Sequence, residues 1–369
     1  MGTITRGIAN NILGSGAVDG TDGLSGTVPA NNIANASLNN LTSLPPSVDA
    51  GIPSVAGNPP SPSDGDIWYN TSTYKLRVRG VSAPGGSWAS SPSLNTARSI
   101  TAGAGTYTSA LLGGSDQSPN AQLNESWNGT TWTEVADLNT ALIKSTGFGA
   151  SNTAAIRCSG ATPPGAASAL TESWNGSSWT EVADQNQTTE QRGSVSGTST
   201  AGLIFGGQLP GPPMQAASES WNGSSWTETN NLNTARYQAA GGGSTTAGLA
   251  FGGNLDPGNS ALTESWNGTS WTEVADLNTG RNTLIGFGTQ TATIATGGAS
   301  TPGVEAKTEV WNGSSWAEVG DLSTARTALS RASSGTTLNG LVFGGSTGSV
   351  SAVSETWTGA ADNLDVTLS

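Results

Sequence analysis

LTESWNGTSWTEVADLNTGR, residues 262–281, is the best-preserved copy of a unit that recurs along the chain. Its segments ESW and SWTEV flank the pair Asn267-Gly268, and an Asn-Gly pair between two β-prone runs is the strongest short-range signal for a two-residue type I′ hairpin. We therefore predict two antiparallel strands, named c and d, in every copy of the unit.

A second copy, residues 218–236, shows what this turn implies for the side chains. With Asn222 and Gly223 as the turn, Trp221 lies opposite Ser224, and the two indoles of the hairpin become diagonal neighbours about 7 to 8 Å apart. One side of the hairpin then carries four large side chains: Glu219, Trp221, Trp226 and Glu228.

Tryptophan marks the period of the repeat. The first series, which ends strand c, has spacings of 45 to 47 residues: Trp127, Trp174, Trp221, Trp266, Trp311 and Trp357. The second series, in strand d, has spacings of 44 to 47 residues: Trp88, Trp132, Trp179, Trp226, Trp271 and Trp316. Of the 13 tryptophans, Trp68 alone lies outside both series.

The rest of each unit supplies two more strands. After strand d come LNTAR, a run of small residues and an apolar run that ends in a double glycine, as in GLIFGG at 202–207. These segments are strands a and b. Because a four-stranded unit of this size cannot bury both faces alone, the units must pack radially, as blades of a β-propeller do.

The number of strands fixes the number of blades. Strands a and c each occur six times, but the first strand d, around Trp88, precedes the first strand a. We predict six blades over residues 86–360, closed when the segment around Trp88 becomes the outer strand of the last blade, because this closure leaves no open seam.

The repeat resembles that of kelch-repeat propellers over residues 86–359. The shared features are the double glycine after strand b, an aromatic residue at the end of strand c and a tryptophan in strand d. Strand c ends in Trp rather than the usual Tyr, and the second unit has Cys158-Ser159-Gly160 in place of the double glycine. The resemblance implies an all-β, six-bladed, kelch-like β-propeller.

Composition excludes several kinds of site. The 369-residue chain has no histidine, so catalytic triads with histidine and the histidine copper ligands of galactose-oxidase chemistry are excluded. Its one cysteine, Cys158, can form neither an internal disulfide nor a thiolate zinc site alone. A net charge of -13 argues against nucleic acid, which needs a concentrated basic surface. We expect no cofactor, no metal and no membrane insertion.

Two series of glutamates accompany the tryptophans. Six precede a first-series tryptophan by two residues: Glu125, Glu172, Glu219, Glu264, Glu309 and Glu355. Five follow a second-series tryptophan by two residues: Glu134, Glu181, Glu228, Glu273 and Glu318. Paired carboxylates are what a glycosidase requires. Because these recur in all units, we favour a structural role, with partners among Arg98, Arg236, Arg281 and Arg326 of the LNTAR segments.

The same recurrence favours a packing role for the tryptophan pairs between neighbouring blades over a role as stacking platforms for sugars. A specific ligand site rarely needs six copies.

Function is expected where the blades differ, which is in the loops between strands b and c. These loops share one rim with the crossings from strand d to strand a, and variable loops on a rigid scaffold form recognition surfaces, although ordinary loop drift gives the same variation. The candidate contact residues are Asp116, Gln117, Gln208, Met214, Asn254 and Asp256.

The first 85 residues differ in composition from the repeats. Residues 1–47 contain short apolar runs with no period that would bury a core, which predicts an extended attachment segment ordered by a partner. A spacer and a hairpin fill residues 48–85: a Pro-rich stretch is followed by DIWYNTSTYKLRVRG, 66–80, whose alternation predicts two β-strands. Residues 361–369 are interpreted as a C-terminal tail.

GDIWYNTSTYKLRVR resembles a hairpin of bacteriophage tail fibres and related virion appendages, and ASLNNLTSLP is similar to N-terminal attachment regions of marine phage fibre proteins. This resemblance covers residues 30–80. It implies a virion protein that is made in the host cytoplasm and bound to other virion proteins through its N-terminal segment. Three-fold assembly is expected by analogy with other fibres.

Together these features predict a tail or head fibre, not an enzyme, whose propeller recognises a host surface glycan or protein. Two alternatives remain open at this stage. One is a capsid decoration or knob protein without a specific receptor. The other is a carboxylate-based polysaccharide depolymerase.

Overall fold

The computed structural model describes residues 54–56, 67–70, 72, 75–78, 85–116, 119–209, 213–301 and 303–359. Residues 85–359 form a six-bladed, all-β propeller in which every blade is a four-stranded antiparallel sheet with the strand order a-b-c-d. The predicted fold class is confirmed, and it is consistent with the kelch-like repeat. The predictions for residues 1–47 and 361–369 lie outside the described residues.

Strands a and b are the two inner strands of each blade, and blades 1 to 6 follow one another along the chain. Strand a is Ala102–Thr106, Thr146–Ser151, Gly193–Ser194, Ala240–Gly243, Ile285–Thr289 and Ser330–Arg331. Strand b is Ser109–Gly113, Ala154–Cys158, Gly202–Phe205, Gly248–Phe251, Ala292–Thr296 and Asn339–Phe343.

Strands c and d are the two outer strands of blades 1 to 6. Strand c is Asn124–Trp127, Thr171–Trp174, Ser218–Trp221, Thr263–Trp266, Thr308–Trp311 and Ser354–Gly359. Strand d is Trp132–Val135, Trp179–Val182, Trp226–Thr229, Trp271–Val274, Trp316–Glu318 and, for blade 6, Gly86–Ser91. Two loops between strands b and c have local structure: a 3₁₀ turn, Asn120–Gln122, in blade 1 and a small hairpin, Ala161–Thr162 with Ala166–Ala167, in blade 2.

Blade 6 is completed by the first strand of the ring. Gly86–Ser91 pairs antiparallel with Ser354–Gly359, and this register sets Trp88 opposite Trp357. The strand that opens the propeller in sequence therefore closes it in space. The predicted closure by the segment around Trp88 is confirmed.

The predicted turn between strands c and d is wrong. Trp221 pairs directly with Trp226, and Glu219 pairs directly with Glu228, so four residues rather than two connect the strands. The four large side chains still share one side of the hairpin. The two indoles face each other directly, with ring centroids 5.3 Å apart, instead of lying on a diagonal.

The asparagine side chain explains the longer turn. A type I′ turn needs a positive φ at both central residues, but of this pair only Gly223 has one, at 96°. Asn222 Oδ1 accepts hydrogen bonds from the backbone N–H groups of Ser224 and Ser225, both at 2.9 Å. This Asx turn organises a four-residue loop, for which the Asn-Gly pair is equally suited.

The tryptophan pairs form the contacts within and between blades. Each first-series indole N–H donates to a backbone oxygen in the a–b turn of its own blade, at 2.8 to 2.9 Å. In blades 1, 3, 4, 5 and 6 the second-series indole packs against a phenylalanine of the preceding blade, as Trp271 does on Phe205 with centroids 5.3 Å apart. Apart from half-buried Trp88, these indoles are at most 6% exposed. The predicted packing role is confirmed.

The described residues before the ring form a three-stranded sheet. Ile67–Asn70 pairs antiparallel with Lys75–Val78, which confirms the predicted hairpin. A third strand, Ser54–Val55, pairs parallel with the first arm. Sequence reasoning assigned that strand to an extended spacer, because two residues are too short to show alternation. Trp68, the tryptophan outside the repeats, is buried.

Candidate functional site

Every blade contains a buried ion pair between an arginine and a first-series glutamate. Both side chains of each pair are at most 2% exposed, so each charge depends on its partner for stabilisation. The pairs are Arg98–Glu125, Arg157–Glu172 at 3.5 Å, Arg192–Glu219 at 2.7 Å, Arg236–Glu264 at 3.2 Å, Arg281–Glu309 at 2.9 Å and Arg326–Glu355 at 2.6 Å. The four arginines expected from the LNTAR segments are all paired with glutamates.

Blades 2 and 3 reach the same pairing from other backbone positions. The arginine of LNTAR is replaced there by Leu142 and Thr189. Arg157 on strand b and Arg192, next to the first residue of strand a, supply the guanidinium instead. Sequence reasoning missed both arginines. The sequence did contain a signal for them. Blades 2 and 3 keep the glutamate, Glu172 and Glu219, but the segment equivalent to LNTAR has no arginine, so another arginine was needed as the partner.

The first-series glutamate also holds the crossing from strand d to strand a. Glu309 Oε2 accepts hydrogen bonds from the backbone N–H of Asn278 at 2.7 Å and from its side-chain amide at 2.9 Å. Asn278 and Arg281 of one LNTGR segment therefore bind the same carboxylate. The second-series glutamates are all exposed, so the two carboxylates of each hairpin lie in different environments.

The pairing in blade 2 is the weakest of the six by distance. Burial raises the pKa of Glu172 above its ordinary value, because the desolvation of its carboxylate outweighs the attraction of Arg157 and the hydrogen bonds from Thr140 and Asn139. The arginine stands 3.5 Å away, farther than in any other blade. Arg157 thus supplies the opposite charge for Glu172, but at a longer distance than the arginines of the other blades.

The b–c loops and the d-to-a crossings meet at one side of the ring, as predicted. We call this side the loop rim and define it by the described residues of the b–c loops: 115–116 and 119–122, 161–169, 208–209 and 213–216, 254–260, 299–301 and 303–306, and 346–352. In blades 2 to 6 a loop residue forms a β-bridge with a crossing residue, as Asn254 does with Tyr237. In blade 1 the backbone N–H of Asp116 donates to Ser99 O at 3.1 Å.

The candidate contact residues occupy three blades of the loop rim. Asp116 lies in blade 1, half-buried, and its carboxylate accepts a hydrogen bond from Ser99 Oγ at 2.7 Å. Gln208 and Met214 form a bridge inside the loop of blade 3, and both are half-buried. Gln117 lies outside the described residues.

The remaining two candidates share the loop of blade 4. Asn254 is half-buried, and its Oδ1 accepts a hydrogen bond from the backbone N–H of Asp256 at 2.8 Å. The Asp256 side chain is exposed. Burial, followed by the charge of Asp256, raises the pKa of Tyr237 beneath this loop. A tyrosine hydroxyl and a carboxylate thus lie together on this part of the rim.

A ring of backbone hydrogen bonds surrounds the propeller axis at the loop rim. It consists of one residue per blade just before strand a, each with φ between 48° and 58°, and we call it the mouth ring: Ile100, Lys144, Gln191, Gln238, Thr283 and Ala328. Five hydrogen bonds of 2.9 to 3.1 Å join the N–H of one member to the carbonyl of the preceding blade's member. Sequence reasoning missed this ring, because backbone groups form it and the side chains differ.

The mouth ring opens into a cavity of about 110 Å³ on the axis, which we call the axial cavity. All six blades line it, and its walls include Ser145, Gln191, Ser194, Gly241 and Arg331. Arg331 extends from strand a of blade 6 across the axis, where its guanidinium donates to the carbonyl oxygens of Ser194, at 2.7 Å, and of Gly241. Sequence analysis gave no indication of this cavity.

Cys158 is buried at the end of strand b in blade 2, and burial raises its pKa to about 12. Because the thiolate is the reactive form, we expect no reaction with a disulfide reagent such as dithiobis-nitrobenzoate at pH 8 in the native state. In guanidinium chloride, one thiol per chain should react. Rapid stoichiometric labelling of the native protein would contradict this burial.

In the described part of the chain, no helix is long and apolar enough to span a membrane, and no group of three or more potential protein ligands is placed to hold a metal ion. No protein-family model matches the chain, and no curated protein matches it.

Proposed function

We propose that this chain is a virion structural protein, a tail or head fibre, whose propeller displays the loop rim for recognition of a host surface glycan or protein. The observation that carries the proposal is a contrast within the ring. The interior repeats one arginine–glutamate pair and one indole hydrogen bond in every blade. The b–c loops, in contrast, differ in sequence and vary from seven to nine residues.

The attachment of these loops suits them to recognition. Backbone hydrogen bonds to the d-to-a crossings fix a point in each loop, as a β-bridge in blades 2 to 6 and as a single bond in blade 1. Tips such as Asp256–Gly258 remain exposed. A surface whose backbone is already ordered loses little conformational entropy when a ligand binds. Variation on such a scaffold changes specificity without altering the core.

The virion assignment is supported by the resemblance of the hairpin at residues 66–80 to phage appendages. On this proposal the N-terminal segment binds other virion proteins, and the protein assembles as a homotrimer. Deletion of the gene separates the two virion roles: loss of adsorption favours a fibre, and intact infectivity with fragile heads favours a decoration protein.

The direct test measures binding of the purified, fluorescently labelled protein to host cells and to their envelope polysaccharide. A double variant of the loop rim, Met214→Ala with Asp256→Ala, is expected to bind at least about tenfold more weakly, as the loss of central contacts does in other interfaces. The control is Glu228→Ala, an exposed residue on strand d of blade 3. Absence of binding by the unmodified protein, in an assay where a known receptor-binding protein binds, would overturn the proposal.

A further inference from the structure

Arg331 differs from every other arginine in the ring. The six others each pair with a buried glutamate, whereas no ion pair to Arg331 occurs among described residues 85–359. Its side chain is only 7% exposed. Burial lowers its pKa to about 10, so the guanidinium still carries its charge at pH 7. Within the described part of the ring, the axial cavity therefore contains one cation without a counter-charge.

The position of Arg331 in the repeat shows how unusual this side chain is. The equivalent residue of strand a is glycine in blades 1, 2, 4 and 5 and serine in blade 3. At Gly241 an added Cβ would lie 2.6 Å from the carbonyl oxygen of Ser194, so the neighbouring strand leaves no room for a side chain there. Arg331 is thus a long side chain at a position where the other five blades have glycine or serine.

The axis is closed below Arg331. Ser333 Oγ donates to Gly149 O at 3.3 Å, and Ser196 Oγ donates to Ser333 O, so blade 6 is joined across the axis to blades 2 and 3. These residues lie two positions further along strand a or its continuation than the level of Arg331. The axial cavity therefore ends at the guanidinium and opens through the mouth ring toward the loop rim.

Two neutral groups in the cavity wall also lack partners. Ser145 is 8% exposed, and its Oγ has no hydrogen-bond partner. Gln191 Oε1 is buried and likewise has none. A buried polar atom without a partner costs free energy, and a ligand with hydroxyl groups would remove that cost. At the mouth, Lys144 Nζ is already bound to Glu190 at 2.8 Å, so it does not neutralise a ligand on its own.

The donors and the size of the cavity indicate the chemistry of the ligand. A guanidinium has five N–H donors, and three contacts to oxygens of Ser194 and Gly241 leave donors for an anion. By the same measure a single water needs roughly 10 to 15 Å³, so a cavity of about 110 Å³ admits a carboxylate with the carbon and hydroxyl groups next to it. The rest of a larger molecule would extend out over the loop rim.

From these observations we propose that the axial cavity binds the carboxylate of an acidic sugar, a uronic acid, with Arg331 as counter-charge and Ser145 and Gln191 as partners of its hydroxyl groups. The inference rests on the proposed function in so far as it names the chemical class of the receptor. The cavity site itself can be tested with monosaccharides and does not require a host.

The test is isothermal titration calorimetry of the full chain with glucuronate and galacturonate. Binding of either uronate in the millimolar range is expected, with no heat from glucose or galactose. Arg331→Gln is expected to weaken binding at least about tenfold, because it removes a charge-assisted contact. Ser145→Val, which leaves Arg331 intact, is expected to weaken it as well and serves if Arg331→Gln fails to fold. Ser224→Ala, in a c–d turn, is the matched control.

The outcomes separate the alternatives. Inorganic phosphate that binds as tightly as the uronates would overturn the sugar assignment, and so would equal binding of the neutral sugars. Absence of uronate binding, or uronate binding that neither variant alters, would overturn the site. If labelled protein binds host cells but neither uronate binds the axial cavity, this inference fails and the proposed function stands. If uronate binds in the cavity but the protein ignores host cells, the site stands and the proposed function fails.

Discussion

Without residues 84–92, the propeller is expected to melt at least about 10 °C lower than the intact chain. The deletion removes strand d of blade 6, which forms six register pairs with strand c. It also removes Trp88, whose ring packs against Phe287 and Trp357 with centroids 6.4 and 5.3 Å away. Loss of a fully buried tryptophan costs about 3 to 5 kcal/mol, and we expect a similar total from half-buried Trp88 together with the lost strand pairing. Each kcal/mol lowers Tm by about 2 to 4 °C in domains of 150–250 residues.

Thermal unfolding followed by tryptophan fluorescence measures this effect. Trp88→Ala should produce a large part of the shift, because it removes the same aromatic contacts while keeping the strand. Ser87→Ala, at an exposed position of the strand, is the control. The deletion should also cause association that depends on protein concentration, since strand c of blade 6 becomes an open sheet edge. A transition unchanged by the deletion would refute the closure.

Arg281→Met is expected to reduce the free energy of unfolding by about 3 to 5 kcal/mol, because it leaves a buried carboxylate without its partner. Glu309 is fully buried and lies 2.9 Å from the guanidinium that the variant removes. The same carboxylate holds the crossing through Asn278, so its displacement would also loosen the entry to blade 5. Urea unfolding at pH 7 measures the change.

Blade 5 contains its own control for this prediction. Lys307 and Glu318 form an ion pair at 3.6 Å with side chains 38% and 57% exposed. Exposed pairs contribute about 0 to 1 kcal/mol, so Lys307→Met should change stability little. The double variant Arg281→Met with Glu309→Gln should recover part of the loss, because no unpaired charge remains and the new amide oxygen can still accept the hydrogen bonds from Asn278. Equal effects of Arg281→Met and Lys307→Met would contradict the role assigned to the buried pairs.

The ring and its closure could be predicted because they depend on repetition. Two tryptophan series with similar spacing predicted the six blades. The strand d that precedes the first strand a predicted that the ring closes at Trp88. The turn was wrong because Asn-Gly suits both a type I′ turn and an Asx turn. Only the hydrogen bonds of Asn222 distinguish them.

The axial site could not be predicted, for a different reason. The mouth ring is made by backbone groups at positions with unrelated side chains, so no residue pattern marks it. Arg331 stands in the run SRASSG, and nothing in that run indicates a side chain that crosses the axis. Arg157 and Arg192 could not be predicted from the repeat either. They bring a guanidinium to equivalent carboxylates from backbone positions that differ from those of the other four arginines.

The pairing of Gly86 with Gly359 has a consequence for the connectivity of the ring. The two ends of the propeller are neighbours on adjacent strands, so a short linker could join them, and the chain could be cut instead in any exposed c–d turn. Such a circular permutant would keep all blade contacts, because proteins with adjacent ends tolerate this rearrangement. The two ends of the propeller therefore meet in blade 6 only because of the order in which the chain connects the strands. The ring itself would allow the chain to begin in any blade.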